Sequence, residues 1–328
     1  MKRAIFLVFL IIGIVVGVFP HFSLAQSYQI VNASDILMST TPELPGPYEN
    51  VTISLESYAI NIDISRITWI INGEQLLDGV GEKKLTVKTG NLGEPLLVEV
   101  RVRWNQIDTI IKRVRIEPAY VDLLWEAVNS YTPPFYKGKA LPSSESYLRV
   151  VALPSGVIGN DQFVYTWQHN GDVKQDKSGF KKHSFEIRNN FFDKKFHVDV
   201  DVTGRLTPFR AHATLIVPRF DPEIHFAVEN ILGDPINQIN GGFKIGGQFN
   251  NLVAHPYYFS AAESFKYLQA EWKIDGESYF PPLSSSRPIN EIPVVPPTEG
   301  SGFSNVYVQI VNNNEILQQA EGQIQVRF

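Results

Sequence analysis

The stretch FHVDVDV, Phe196–Val202, is where this sequence comes nearest to assembling chemistry. Read with a period of two, His197, Asp199 and Asp201 fall on one face of a strand and the valines on the other. Side chains at i, i+2 stand about 7 Å apart along a strand. An imidazole and two carboxylates at that spacing would hold a divalent cation only if a neighbouring strand supplied a further ligand. The solvated outer face of a sandwich strand carries the same pattern, and that reading is preferred. No metal and no cofactor is expected. Asp122, Asp221 and Glu223 lie beside short proline-containing junctions, where calcium would be the candidate ion, but the Asp-x-Asn-Asp-Asn type of signature is missing. H-E-x-x-H, G-x-S-x-G, a phosphate loop opening a helix and EF-hand spacing are missing as well. The sequence nominates no catalytic residue, and a non-enzymatic protein is expected.

Two aromatic clusters point to contacts instead. HPYYF (His255–Phe259) offers Tyr257 and Tyr258, and YTPPFY (Tyr131–Tyr136) offers Tyr131 and Tyr136. Aromatics carried on loops stack on sugar rings or anchor a protein partner. The competing reading is that they close the end of a sandwich. GGFKIGG (Gly241–Gly247) is glycine-rich and precedes strand-like sequence, so it reads as a mobile hairpin.

The elements that must position these residues are strands. VEVRV (Val98–Val102), FHVDVDV and VYVQI (Val306–Ile310) alternate apolar with polar, the period of a half-buried strand. VTISLES and YLRVVAL read similarly. Prolines and glycines recur every ten residues or so, as they do in antiparallel sandwiches.

The strands recur in three copies. Trp69, Trp167 and Trp272 lie 98 and 105 residues apart. The 98-residue offset also pairs Asn72 with Asn170, Gly73 with Gly171, Asp78 with Asp176 and Gly81 with Gly179. It then carries Val98, Val100 and Val102 onto Phe196, Val198 and Val200. Alternation in ITWIING puts Trp69 on the same face as Ile67 and Ile71. The dipeptide that follows is Asn72-Gly73, then Asn170-Gly171 and Asp275-Gly276 in the other copies. Asn-Gly and Asp-Gly accept positive φ at both central positions of a type I′ turn and reverse a strand in two residues. Each Trp is therefore read as the structural core of its unit, set just before a tight hairpin.

ITWIING, YTWQHNG and AEWKIDG, with the alternating strands downstream, resemble bacterial immunoglobulin-like domains of the PKD-like kind found in envelope proteins. The resemblance extends over Ser27–Phe328 and is one of fold. PKD modules usually carry Gly-Asp-Gly after the Trp strand, and this chain has none. It implies an all-β chain of three tandem immunoglobulin-like antiparallel β-sandwich domains, at residues 26–117, 118–217 and 218–328. It also implies a part in adhesion, spacing or assembly. Pro118 and Pro218 stand at matching junctions, each after a final strand, where proline's missing donor is tolerated. Linkers this short and proline-containing favour a semi-rigid arrangement.

The ends and the composition set the compartment. Lys2 and Arg3, an apolar run of about 16 residues, Pro20 and Ser23–Ala25 make residues 1–25 a secretory signal peptide with a small-residue cleavage site. The run falls short of the roughly 20 residues that span a bilayer comfortably. The chain has no cysteine, so disulfides, thiolate chemistry and a lipidated N-terminal Cys are excluded. Lys and Arg number 29 against 34 Asp and Glu, a net charge of −5, which becomes −7 once Lys2 and Arg3 leave with the signal. An acidic balance argues against nucleic acid. The expectation is an exported spacer and protein-binding module, periplasmic, cell-surface or secreted, contacting a membrane only through partners or an uncleaved signal. Envelope or surface proteins are the expected partners, with glycan as the alternative.

Overall fold

The computed structural model describes residues 31–328 apart from 106, 156–161, 189–191, 230–234, 239–242, 245–249, 262–264, 281–287, 295–300 and 328. Residues 1–25, where a signal peptide is expected, lie outside the described residues. Among those described there is no α-helix, only short 3-10 turns between 24 strands.

In the first segment these are β1 (Ile36–Thr41), β2 (Asn50–Ser57), β3 (Arg66–Ile71), β4 (Glu74–Val80), β5 (Lys84–Lys88), β6 (Leu96–Arg103) and β7 (Thr109–Ile116). They form the sheets β1-β2-β5 and β4-β3-β6-β7. The second segment holds β8 (Val121–Val128), β9 (Tyr147–Pro154), β10 (Phe163–His169), β11 (Asp172–Val173), β12 (Gly179–Phe180), β13 (Ser184–Arg188), β14 (Lys195–Gly204) and β15 (Arg210–Pro218). Its sheets run β13-β9-β8 and β11-β10-β14-β15, with β12 also on β10. The third holds β16 (Glu223–Glu229), β17 (Pro235–Gln238), β18 (Phe243–Lys244), β19 (Asn250–Tyr257), β20 (Leu268–Ile274), β21 (Glu277–Tyr279), β22 (Glu291–Val294), β23 (Phe303–Asn312) and β24 (Gln319–Arg327). Here the orders are β17-β16-β19-β22 and β18-β24-β23-β20-β21. In each segment the first, second and fifth principal strands share one sheet, and the third, sixth and seventh share the other. That division is the immunoglobulin order, A-B-E against C-F-G.

The chain divides into two compact units. One gathers Ser54–Lys84 and Glu99–Arg113 with the described residues up to Met38; the other gathers Ser39–Ile53, Leu85–Val98 and Val114–Phe328, and so contains the second and third segments entire. In the first unit Trp69 is fully buried and its indole Nε1 donates to the Glu82 carbonyl at 2.7 Å. In the other, Trp167 is fully buried, stacks on Phe185 with 5.4 Å between ring centroids, and donates to the Lys182 carbonyl at 2.8 Å. Trp272, in the core of the third segment, donates to the Ile289 carbonyl at 3.1 Å. The repeated choice of Trp over Phe thus has a physical reason. The ring fills the core, and its N–H satisfies a carbonyl on the chain that leads to the next strand.

The hairpins after each Trp are two-residue turns. Ile71 pairs with Glu74, His169 with Asp172 and Ile274 with Glu277. Asn72 and Gly73 have φ of 50° and 88°, Asn170 and Gly171 54° and 84°, and Asp275 and Gly276 49° and 89°, the signs that a type I′ turn demands. A Cβ at Gly73, Gly171 or Gly276 would meet nothing within 4 Å, so the cost of a side chain there is purely conformational. Gly171→Ala is expected to cost about 1 kcal/mol, the penalty of a left-handed L-residue. Denaturant titration would read this, and an unchanged midpoint would contradict it.

The glycine-rich stretch differs from its expected mobile hairpin where it is described. Phe243–Lys244 runs parallel to β24, with Phe243 opposite Val326 and Lys244 opposite Arg327. The open side of β24 is a row of backbone donors and acceptors, and a short strand laid along it satisfies them. The rest of Gly241–Gly247 lies outside the described residues.

Candidate functional site

The four tyrosines expected as exposed ligand contacts meet each other where the second and third segments join. Tyr257 and Tyr258 are only 3% and 7% exposed, so neither is presented to a ligand, which corrects that reading. Tyr136 packs edge-on to Tyr257 with 5.2 Å between centroids, and its hydroxyl lies 3.3 Å from that of Tyr258. Tyr131 packs edge-on to Phe265 at 4.8 Å. The proline-bearing loop 131–136 leans on the end of β19, and burial of these rings outweighs leaving them in water.

Hydrogen bonds fix the same joint. Tyr131 N donates to the Phe259 carbonyl and Tyr258 N to the Tyr131 carbonyl, both at 2.8 Å, continuing a bridge between Ser130 and Ser260. Ser143 Oγ donates to the Tyr258 carbonyl at 2.7 Å. Gln318, fully buried in the turn before β24, donates from Nε2 to the Ser144 carbonyl at 2.7 Å and to Ser260 Oγ at 2.8 Å. Its Oε1 accepts from Ser260 N and from Asn312 Nδ2. Arg188 reaches Glu315 from the second segment. Nothing in the chain's motifs marks Gln318 or Ser143 for this duty.

Beside the joint, burial lowers the His255 pKa from its ordinary value to about 4, with the charge of His225 a smaller cause. Phe135 and His225 flank this region, the first edge-on to His255 and the second edge-on to Tyr257. A folded-state pKa below the unfolded value means the unfolded chain takes up the proton first. The neutral imidazole's contribution is complete above pH 6.5 and is lost as the pH falls from there to about 4. Stability of the third segment should fall over that window, read as a denaturation midpoint against pH. His255→Phe should flatten the dependence, and an unaltered slope in that variant would refute the assignment.

His197, Asp199 and Asp201 occupy the outer face of β14, with Val198, Val200 and Val202 fully buried behind them. The neighbouring strand adds His212 opposite Asp201 and Thr214 opposite Asp199. Asp201 Oδ1 lies 2.9 Å from His212 Nδ1, Asp199 accepts from Thr214 Oγ1 at 2.6 Å, and His197 Nε2 is 3.5 Å from Asp199. These carboxylates are engaged in a cross-strand ladder. Among the described residues no group of three or more His, Asp or Glu side chains is arranged to hold a metal ion. Of the junction acids, Glu223 pairs with His225 at 2.9 Å, and Asp122 and Asp221 are exposed.

A recess of ≈ 440 Å³ lies on the sheet β4-β3-β6-β7 of the first segment. Arg66 and Thr68 line it from β3, Gln75 and Asp78 from β4, Arg101 and Arg103 from β6, and Thr109 and Ile111 from β7. Alternation places the arginines here, because Leu96, Val98, Val100 and Val102 take the buried side of β6. Arg66 Nη2 and Asp78 Oδ2 lie 2.5 Å apart, and Thr68 Oγ1 donates to Asp78 Oδ1 at 2.7 Å. Arg101 and Arg113 converge on Glu99 at 2.8 and 2.7 Å. The alternating arginines of RVRW and KRVRI are the signal that sequence reasoning passed over.

The hydrogen bonds from Arg66 and Thr68 hold the Asp78 carboxyl down at about 2. The hydrogen bonds from Arg113 and Arg101 likewise lower that of Glu99. A depressed carboxylate contributes above its unfolded pKa and loses the contribution as the pH falls through the folded value. Carbon-detected NMR titration should find Asp78 ionised at pH 3, with Arg66→Gln raising its midpoint toward an ordinary aspartate. A midpoint indifferent to that substitution would exclude the pairing.

The strand order and cores define an immunoglobulin-like, all-β, tandem-domain protein. No family model matches the chain, and no characterised protein sequence matches it. Among solved structures it is similar to three N-terminal domains of the bacteriophage RB49 highly immunogenic outer capsid protein. That match has 13% identity, covers 89% of this chain and 97% of the other, and has a TM-score of 0.25. Sidekick-1 immunoglobulin domains 1–4 match at 12% identity over 89% of this chain and 74% of theirs, with a TM-score of 0.20. Fibronectin(III)-like modules of Clostridium thermocellum CbhA match at 9% identity over 56% of this chain and 94% of theirs, with a TM-score of 0.30.

Proposed function

We propose that this chain is an exported, non-enzymatic spacer and protein-binding module, acting at a cell surface or in a periplasm as part of an envelope assembly. The observation that carries the spacer role is the buried joint of the second and third segments. Segments that only tethered a ligand would need no fully buried Gln318 shared between Ser144, Ser260 and Asn312. Segments that hold partners at a set separation need such a contact, because a joint with buried polar groups has one satisfied geometry. Burial of Tyr257 and Tyr258 weighs against the glycan-binding alternative, which is left with the half-buried Tyr131 and Tyr136.

The chain has no cysteine, which makes the rigidity directly measurable. Spin labels on Lys177→Cys and Glu277→Cys should give a narrow distance distribution, and a broad one typical of a flexible linker defeats the spacer reading. The partner class is tested separately by crosslinking a tagged copy in its native cells, followed by mass spectrometry. Envelope or surface proteins captured in fixed ratio support the assembly role. Capture of cell-wall glycan alone transfers the chain to the adhesive class.

A further inference from the structure

We infer that the arginine-lined recess on the sheet β4-β3-β6-β7 docks an acidic, extended segment of a partner protein. This deepens the protein-binding reading and rests on it. The charge is the first argument. Arg66, Arg101, Arg103 and Arg113 stand on this face against Asp78 and Glu99, an excess of two positive charges in a chain whose net charge is −5. The arrangement of that charge is the second. The carboxylates are recessed, with side chains 21% and 19% exposed, whereas Arg66, Arg101 and Arg113 are 56%, 51% and 71% exposed. Asp78 is already taken up by Arg66 and Thr68, and Arg103 is exposed beside it. Internal pairing therefore orients the guanidinium groups without using them up.

The ligand chemistry follows from these groups. A guanidinium is a planar fork that matches a carboxylate with two parallel hydrogen bonds, and carboxylates spaced along an extended peptide repeat at about 7 Å. Arg101 and Arg103 sit at that same i, i+2 spacing on β6. Ile111, 42% exposed, adds an apolar contact beside them, which suits a peptide that alternates acidic and aliphatic side chains better than a uniformly hydrophilic polyanion. Among the described lining residues there is no aromatic ring on which a sugar would stack.

The test uses the full chain and a fluorescent octapeptide of alternating Glu and Val, titrated at 50 mM salt. Saturable binding is expected, weakened at least tenfold by Arg101→Glu with Arg103→Glu and at least tenfold by raising the salt to 0.5 M. Lys174→Glu with Lys177→Glu, in the second segment, should leave it unchanged. Thermal unfolding of each variant checks that the fold persists, and Arg103→Lys, which keeps the charge without the fork, should weaken binding by a smaller factor. Absence of saturable binding, or binding indifferent to the Arg101/Arg103 reversal, overturns the assignment. So does an octa-uronate that binds more tightly than the peptide and is lost with the same variant, since it places a polysaccharide at the recess. None of these outcomes touches the rigidity of the joint, so failure here and failure of the spacer reading are told apart.

Discussion

Trp167→Ala should unfold the second segment at markedly lower temperature or denaturant than the native chain. The indole is fully buried, stacked on Phe185 and enclosed by Tyr165, Val198 and Val200. Removing a large aromatic from a close-packed core loses its transfer free energy and leaves a cavity, about 3–5 kcal/mol together. A domain of this size has roughly 5–15 kcal/mol to lose. In a cooperative unit of this size each kcal/mol shifts the midpoint by about 2–4 °C, so a fall of roughly 6–20 °C is expected in calorimetry. Trp167→Phe separates the two contributions. It keeps most of the ring and deprives the Lys182 carbonyl of the indole N–H, at a cost of about 1 kcal/mol for the lost hydrogen bond. If the alanine variant melted within a few degrees of the native chain, the indole would not be the centre of this core.

The second large effect is expected at Gln318→Leu. Leucine has nearly the same volume, so little packing is lost, but four groups lose their partner at once. These are the Ser144 carbonyl, the Ser260 hydroxyl, the Ser260 N–H and the Asn312 amide. The bond to the Ser144 carbonyl is the one that crosses to the second segment, and the unmet desolvation of the four groups makes roughly 3 kcal/mol a fair expectation. The loss should appear chiefly as uncoupling. Calorimetry should resolve separate transitions for the second and third segments, and the label distance between positions 177 and 277 should broaden. Gln323→Leu, on the outer side of β24, should stay within about 0.5 kcal/mol of the native chain. A single shared transition in the Gln318 variant would show that the joint is held without Gln318, by the Tyr131, Tyr258 and Ser143 hydrogen bonds and the aromatic contacts.

These two residues differ in how visible they are along the chain. Trp167 announces itself, because it alternates with Tyr165, precedes Asn-Gly and returns at a fixed spacing from Trp69. Gln318 sits in NNNEILQQA, a polar loop with no pattern, and becomes a keystone only because the turn before β24 meets Ser144 and Ser260. The tyrosines show the same limit from the other side. HPYYF reads as an aromatic cluster on a loop, and whether such a cluster faces water or a neighbouring segment depends on how the segments dock. The arginines on β6 and β7 were written in alternation as clearly as the valines behind them, yet their gathering with Arg66 required the order β4-β3-β6-β7.

What the sequence determined by itself was therefore local and periodic. Alternation at a period of two makes strands, Asn-Gly and Asp-Gly supply positive φ for two-residue reversals, and a repeated Trp centres each core. These features depend on neighbours in the chain and on the contrast between apolar and polar side chains. The tertiary structure alone decided that the Tyr257 and Tyr258 rings were buried, where Gln318 found its partners, and which arginines came to share a recess. Such outcomes join residues far apart in sequence, as Tyr136 and Tyr258 are joined across 122 positions, and no local preference encodes a contact over that separation.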